Sequence, residues 1–272
     1  MTVAVPGVDM SPEGDSAWRA RLADRWNVGR NQNGGVLLSV VSAALAESAG
    51  HPHPLAVTGH YLRPTEAADA VVRTDLVKPG RTYSTATGEL WQGDRARLQV
   101  TGSFGDLAAH AGEEAAPYAA PPPVPPPGEC DDLFPILTAG PAGERALNRA
   151  LRNYEIRVAP GRGWGPDQAG RPSLSGWVRF RDADTVTAAM LIALADAFPP
   201  SVMSARTIGW LPTIDLSVHG VGLPGPGEPW LLASLRTSAI TGGLLDEDGE
   251  LWDTSGRLVA RFRQLAMILP PG

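Results

Sequence analysis

From Val36 to Ala46 the chain reads Val-Leu-Leu-Ser-Val-Val-Ser-Ala-Ala-Leu-Ala, apolar nearly all round, after Asn33-Gly34-Gly35 and ahead of Gly50. This pattern predicts a helix that is buried on every side. Four stretches follow, Leu55 to Leu62, Ala70 to Val77, Thr82 to Trp91 and Ala96 to Phe104, divided by Pro64, Pro79-Gly80 and Gly93-Asp94. They read as the strands of a meander. The order then returns. An Ala/Leu/Met-rich helix is expected over Thr185 to Phe198, stopped by Pro199-Pro200. Behind it come strands at Thr213 to His219, Trp230 to Ile240, Leu244 to Trp252 and Leu258 to Leu269, and two more, Tyr154 to Val158 and Ser173 to Arg181, precede it.

Two further signals support an internal repeat. Gly88-Glu89-Leu90-Trp91 recurs as Gly249-Glu250-Leu251-Trp252, an offset of 161, and His60 matches His219 at an offset of 159. Matches in one order at nearly one offset point to duplication rather than to two unrelated domains. Between the copies, Ala115 to Gly128 has Pro or Gly at eight of fourteen positions, which favours an extended linker. The expected units are therefore an N-terminal one at 15–114 and a C-terminal one at 129–272, joined by residues 115–128. A buried helix followed by long antiparallel strands is packed economically when the sheet curls around the helix, and two such units can pair their sheets.

At this point the sequence resembles the TesB-like acyl-CoA thioesterases of the hotdog superfamily, in their double-hotdog form. The resemblance is carried by Asn33-Gly34-Gly35, by His60-Tyr61-Leu62-Arg63-Pro64, by Thr213-Ile214-Asp215 and by Gly249 to Met267, and it extends over nearly the whole chain after about Trp26. It implies an α+β double hotdog, two tandem units each with a long antiparallel sheet wrapped around a central helix. It also implies hydrolysis of an acyl-CoA or acyl-carrier thioester.

Composition narrows the rest. The 272 residues carry a formal charge of −6, so no general positive field is available for a nucleic-acid backbone. Lys78 is the only lysine and lies in a turn-like Lys78-Pro79-Gly80, a poor setting for Schiff-base chemistry. The single cysteine, Cys130, rules out an intrachain disulfide and a multi-cysteine metal site. No secretory signal or membrane-length apolar run is seen, and a cytoplasmic protein is expected. Neither a Gly-x-Ser-x-Gly elbow nor a phosphate loop nor His-Glu-x-x-His occurs. His51 and His53 flank a proline without further ligands, so no metal is expected. No cofactor is expected beyond coenzyme A as part of the substrate.

Asp215 lies in a strand whose neighbours alternate toward apolar packing, where a partly buried carboxylate could act as a general base or, more simply, be satisfied at a strand edge. Gln264 interrupts the last apolar strand and could orient a water, or face solvent. A hydroxyl at Ser238 or Thr237 could be a third partner, and strand alternation allows only one of the two to share a given face. TesB-like enzymes use an Asp, a Thr or Ser, and a Gln of the C-terminal hotdog to hold the attacking water. The resemblance implies Asp215, Ser238 and Gln264 for these roles, with Thr237 as the alternative hydroxyl. Asn33, Gly34 and Gly35, at the start of the first helix, are candidates for the oxyanion and substrate-binding site, or else serve as a cap and close-packing glycines.

Two other readings compete. One is a hotdog hydratase or dehydratase of a biosynthetic pathway with His60 or His219 as base, against which the equivalent places of both histidines speak. The other is a non-catalytic acyl or ligand binder, which would not need Asp215. The expected partner is an acyl-CoA or acyl-carrier-protein thioester, with no nucleic acid and no membrane insertion. A homo-oligomer is a candidate state, although two tandem units already contain the pairing that single units reach by dimerising.

Overall fold

The computed structural model describes residues 5–110, 118–138, 149–161, 170–206, 208 and 210–269. Residues 115–117 of the expected linker lie outside this set.

The first half opens with two short strands, β1 (Asp9–Pro12) and β2 (Ala17–Arg21), and a small hairpin of β3 (Asn27–Val28) and β4 (Asn31–Gln32). Helix α1 (Gly34–Ala49) follows, then β5 (His53–Tyr61), β6 (Asp69–Lys78), β7 (Tyr83–Gln92) and β8 (Arg95–Gly105). The second half has β9 (Asp131–Asp132), α2 (Leu133–Thr138), β10 (Tyr154–Val158), β11 (Ser173–Phe180) and α3 (Ala188–Ala195). It ends with β12 (Thr213–Gly220), β13 (Leu231–Thr241), β14 (Leu244–Trp252) and β15 (Leu258–Met267).

Helix α1 starts where Asn33 caps it, its side chain accepting from the Val36 N–H at 3.0 Å, and stops at Gly50, whose φ of 68° suits a left-handed cap. Apart from Gly34, Glu47 and Ser48, every residue of α1 is buried. Burial all round requires cover all round, and the sheet supplies it together with α3. Thr187 caps α3, accepting from the Met190 N–H, and the Ser39 hydroxyl of α1 donates to the Ala189 carbonyl of α3 at 2.7 Å.

Thirteen strands form one antiparallel sheet in the order β1-β2-β6-β7-β8-β5-β12-β15-β14-β13-β11-β10-β9. Outward from the central β5–β12 seam the order is the same in both directions: β8, β7, β6, β2 on one side and β15, β14, β13, β11 on the other. The halves are thus related by an approximate two-fold axis. Thr58 faces Ser217 across the seam, their hydroxyls 2.8 Å apart, and these positions differ by the same 159 residues as the two histidines. Helices α1 and α3 pack together on the inner face, and one buried apolar cluster runs through both halves. This is the double hotdog implied by the sequence.

The repeated Gly-Glu-Leu-Trp has a packing cause. A Cβ on Gly88 would lie 3.0 Å from Leu45 Cδ2 of α1, and one on Gly249 would lie 2.2 Å from the Phe262 ring. Both glycines let a large inner-face side chain approach the strand. On the outer face of the second half the linker segment packs down: the Trp177 indole donates to the Pro125 carbonyl at 2.7 Å, and Trp177 clusters with Trp252, Leu232 and Cys130.

The structure adds β1, β2, β3, β4, β9 and α2 to the elements read from sequence, and it shortens the second helix, expected over Thr185 to Phe198, to Ala188–Ala195. The chain leaves the helix at Asp196, whose φ/ψ of −111° and 21° is no longer helical.

Candidate active site

A cavity of about 560 Å³ opens beside the N-terminus of α1 and takes its wall from both halves. This is the size of a small-ligand site. Asn33, Gly34, Tyr61 and Arg63 come from the first half, and Asp196, Trp210, Thr213 and Gln264 from the second.

Asp196 is the carboxylate at this cavity. Leaving the end of α3, it meets the start of α1, where its Oδ2 accepts from the Gly35 N–H at 2.7 Å and from Asn33 Nδ2 at 2.9 Å. A carboxylate at a helix N-terminus is held by free amides and by the helix dipole. Burial works the other way. Desolvation, reinforced by the nearby Glu247 charge, raises the Asp196 pKa from 3.8 to about 6, against the lowering effect of the Gly35 and Asn33 hydrogen bonds. Gly35 is required by this contact, since a Cβ there would lie 2.5 Å from the Asp196 Cβ.

Gln264, on β15, also lines the cavity and is 7% exposed. Its Nε2 donates to Glu247 Oε1 at 2.7 Å, and its Oε1 accepts from the Thr213 hydroxyl at 3.3 Å. Thr237 points inward from β13, its Oγ1 2.9 Å from Ser201 Oγ. It stands behind the wall rather than on it. Two buried polar atoms of wall residues, the Tyr61 hydroxyl and Gln32 Oε1, have no hydrogen-bond partner among the described residues. Burial, with the Asp196 and Asp215 carboxylates, pushes the Tyr61 phenol well above its usual range.

The structure therefore does not bring Asp215, Ser238 and Gln264 together. In β12, Leu216 and Val218 point into the core, which turns Asp215 outward with Ser217. In β13 the inward Leu235 and Thr237 turn Ser238 to the outer face with Arg236, where it donates to Asp248 Oδ1 at 2.6 Å, and a bulge falls at this residue, between Thr237 and Ala239. Thr237 is the inward hydroxyl of that pair. Of the turn residues, Asn33 and Gly35 are already engaged in holding Asp196, and Gly34 remains at the cavity wall.

His60 and His219 are exposed and absent from the cavity wall, so neither is placed as a base for chemistry there. His51 bonds the Gly80 carbonyl and His53 accepts from the Leu107 N–H. Among the described residues no cluster of three or more His, Cys, Asp or Glu side chains could hold a metal ion, and no helix is long and apolar enough to cross a membrane.

Comparison with known proteins agrees with this architecture. Residues 22–105 match the profile of the acyl-CoA thioesterase N-terminal domain, and residues 121–268 match that of the acyl-CoA thioesterase C-terminal domain. An uncharacterized protein of Mycobacterium tuberculosis is 25% identical over 98% of this chain and 96% of its own length. The crystal structure of a Thermobifida fusca protein assigned as a thioesterase II superposes with a TM-score of 0.81 at 27% identity, covering 97% of this chain and 99% of its own. The acyl-CoA thioesterase II TesB2 of Mycobacterium marinum shares the fold with a TM-score of 0.71 at 17% identity, over 97% of both chains. With both halves matched in order, the chain belongs to the TesB-like acyl-CoA thioesterase family of double-hotdog proteins.

Proposed function

We propose that the protein hydrolyses the thioester of an acyl-CoA or an acyl-carrier protein, with Asp196 as the general base. The observation that carries this reading is Asp196 itself, a carboxylate at a cavity shared by the two halves, with its pKa raised to about 6. A base poised near neutral pH is ionised yet basic enough to take a proton from water. Both of its hydrogen bonds fall on Oδ2, which leaves Oδ1 for that water.

In the reaction the water oxygen attacks the thioester carbon as its proton passes to Asp196. The carbonyl oxygen becomes negative and accepts from the Gly34 N–H at the start of α1, where the helix dipole favours negative charge. The adduct collapses with cleavage of the C–S bond, and the proton on Asp196 returns to the leaving sulfur. The products are a free acid and a thiol. Gln264 holds the water from a second side, and Arg63 offers a cation at the cavity rim for an anionic carrier. No covalent acyl-enzyme is required.

Thiol release from a panel of short to long acyl-CoAs tests this. The wild type should release thiol and Asp196→Asn should lose about 10²- to 10⁴-fold in kcat, the usual worth of a general base. Undiminished turnover by Asp196→Asn would remove Asp196 from the role.

A further inference from the structure

Behind the cavity wall lies a second carboxylate that the hydrolytic steps do not use. Glu247 is on the inner face of β14 and is 0% exposed. Its Oε1 accepts from Gln264 Nε2 at 2.7 Å, and its Oε2 accepts both the N–H and the hydroxyl of Ser201 at 2.5 Å. Ser201 Oγ is in turn 2.9 Å from Thr237 Oγ1.

Burial pushes the Glu247 carboxyl above its usual range, and the three donors that converge on its two oxygens, Ser201 N–H, Ser201 O–H and Gln264 Nε2–H, favour the ionised form against it. As a carboxylate it only accepts, which fixes the direction of every bond in this network. Gln264 must present its amide nitrogen to Glu247, which turns its carbonyl oxygen toward Thr213 and the cavity. The proton of Ser201 is taken by Glu247, so Thr237 donates to Ser201. The donors converge on one buried group. A nucleophilic water, for its part, needs acceptors for both of its protons if a lone pair is to face the thioester carbon.

We propose that Glu247 is a positioning residue of the hydrolytic site: it locks Gln264 with its carbonyl oxygen toward the cavity, so that Gln264 and Asp196 accept the two protons of the attacking water. The inference rests on the hydrolytic reading above. Glu247 also touches Asp196 through charge. The charged groups acting on it are Asp196, at the end of α3, and Asp248, its neighbour on β14, and among the described residues no cation bonds to it. Asp248 itself is paired with Arg236 on the outer face. The negative charge of Glu247 makes Asp196 a stronger base.

The test is Glu247→Gln, a near-isosteric change, assayed by thiol release across pH. The amide has a donor where the carboxylate had none, so Gln264 loses its fixed orientation. The expected result is a fall in kcat of about 10- to 100-fold with KM within about twofold, and an acid limb of kcat displaced to lower pH because Asp196 loses a like-charged neighbour. In a Gln264→Leu background the same change should cost nothing further in kcat on the pH plateau, since the orienting effect runs through Gln264, while the displacement of the acid limb should persist, since that runs through the charge beside Asp196. A packing role alone would not move the acid limb, and its cost in kcat would not vanish in that background. Should Glu247→Gln fail to fold, Ser201→Ala removes one donor to Oε2 and should likewise lower kcat at constant KM. A folded variant with unchanged kcat and acid limb would overturn the role of Glu247 and leave the hydrolytic reading standing. Absence of thiol release by the wild type on every substrate would overturn both.

Discussion

Asp196 of the second half closes onto Gly35 of the first, its Oδ2 2.7 Å from the glycine amide, so the carboxylate at the cavity is held by the helix of the other unit. The contact is tight enough to exclude any side chain. Gly35→Ala would put a Cβ 2.5 Å from the Asp196 Cβ and 3.1 Å from the Ile192 carbonyl oxygen. Overpacking of this kind costs about 1–3 kcal/mol. The variant should be less stable by that amount in urea unfolding, and should lose kcat as Asp196 is displaced.

The rate should follow the ionisation of Asp196. Because its pKa is raised to about 6, kcat/KM should fall with a slope of one as pH drops below that value. A limb near pH 4, at the ordinary carboxylate value, would point to a different base.

Stability should respond with the opposite sense. Between pH 3.8 and about 6 the folded state holds the Asp196 proton and the unfolded chain has released it, so stability falls as pH rises through that window. The full effect is about 3 kcal/mol. Asp196→Asn should remove it, unfolding at higher urea than the wild type at pH 8 while the two converge toward pH 4. Equal midpoints at both values would show that burial does not perturb Asp196.

The outer-face residues should be dispensable. Asp215→Asn and Ser238→Ala should keep kcat/KM within about twofold of the wild type and change stability by no more than about 1 kcal/mol, as is usual away from buried features. A loss of activity in Asp215→Asn at unchanged stability would return that residue to the site.

Tyr61→Phe deletes a buried hydroxyl that has no partner among the described residues. Burying such a group without a hydrogen bond is costly, so the variant should gain about 1 kcal/mol, seen as a higher Tm. A loss of stability would mean that the phenol is hydrogen-bonded in solution.

The repeat, the order of the strands and both buried helices were legible because each rests on a run of residues with a clear period. The cavity was legible only in part. Gln264 stands out as an amide in an apolar strand, and Asn33-Gly34-Gly35 as a helix entry. Asp196 was hidden by its position: at the tail of Thr185 to Phe198 it reads as part of a helix, and its approach to Gly35 depends on packing between distant segments. The available signal was a lone charge in an apolar run. Asp215 could have been turned outward from sequence, since Leu216 and Val218 claim the inner face. Ser238 was ambiguous, because Leu235 before it and Ile240 after it are both inward across the bulge, so alternation counted from the two ends gives opposite faces and residue type does not mark where the phase changes.

The axis through Thr58 and Ser217 carries a consequence for how such a site can diverge. A homodimer built from identical units repeats every substitution at two symmetric positions, so an acid introduced at one cavity is forced upon the other. Tandem copies in one polypeptide escape that obligation. Here Asp196 and Gln264 belong to one copy and Asn33, Gly35 and Tyr61 to the other, so each copy can specialise by a single mutation without altering its twin.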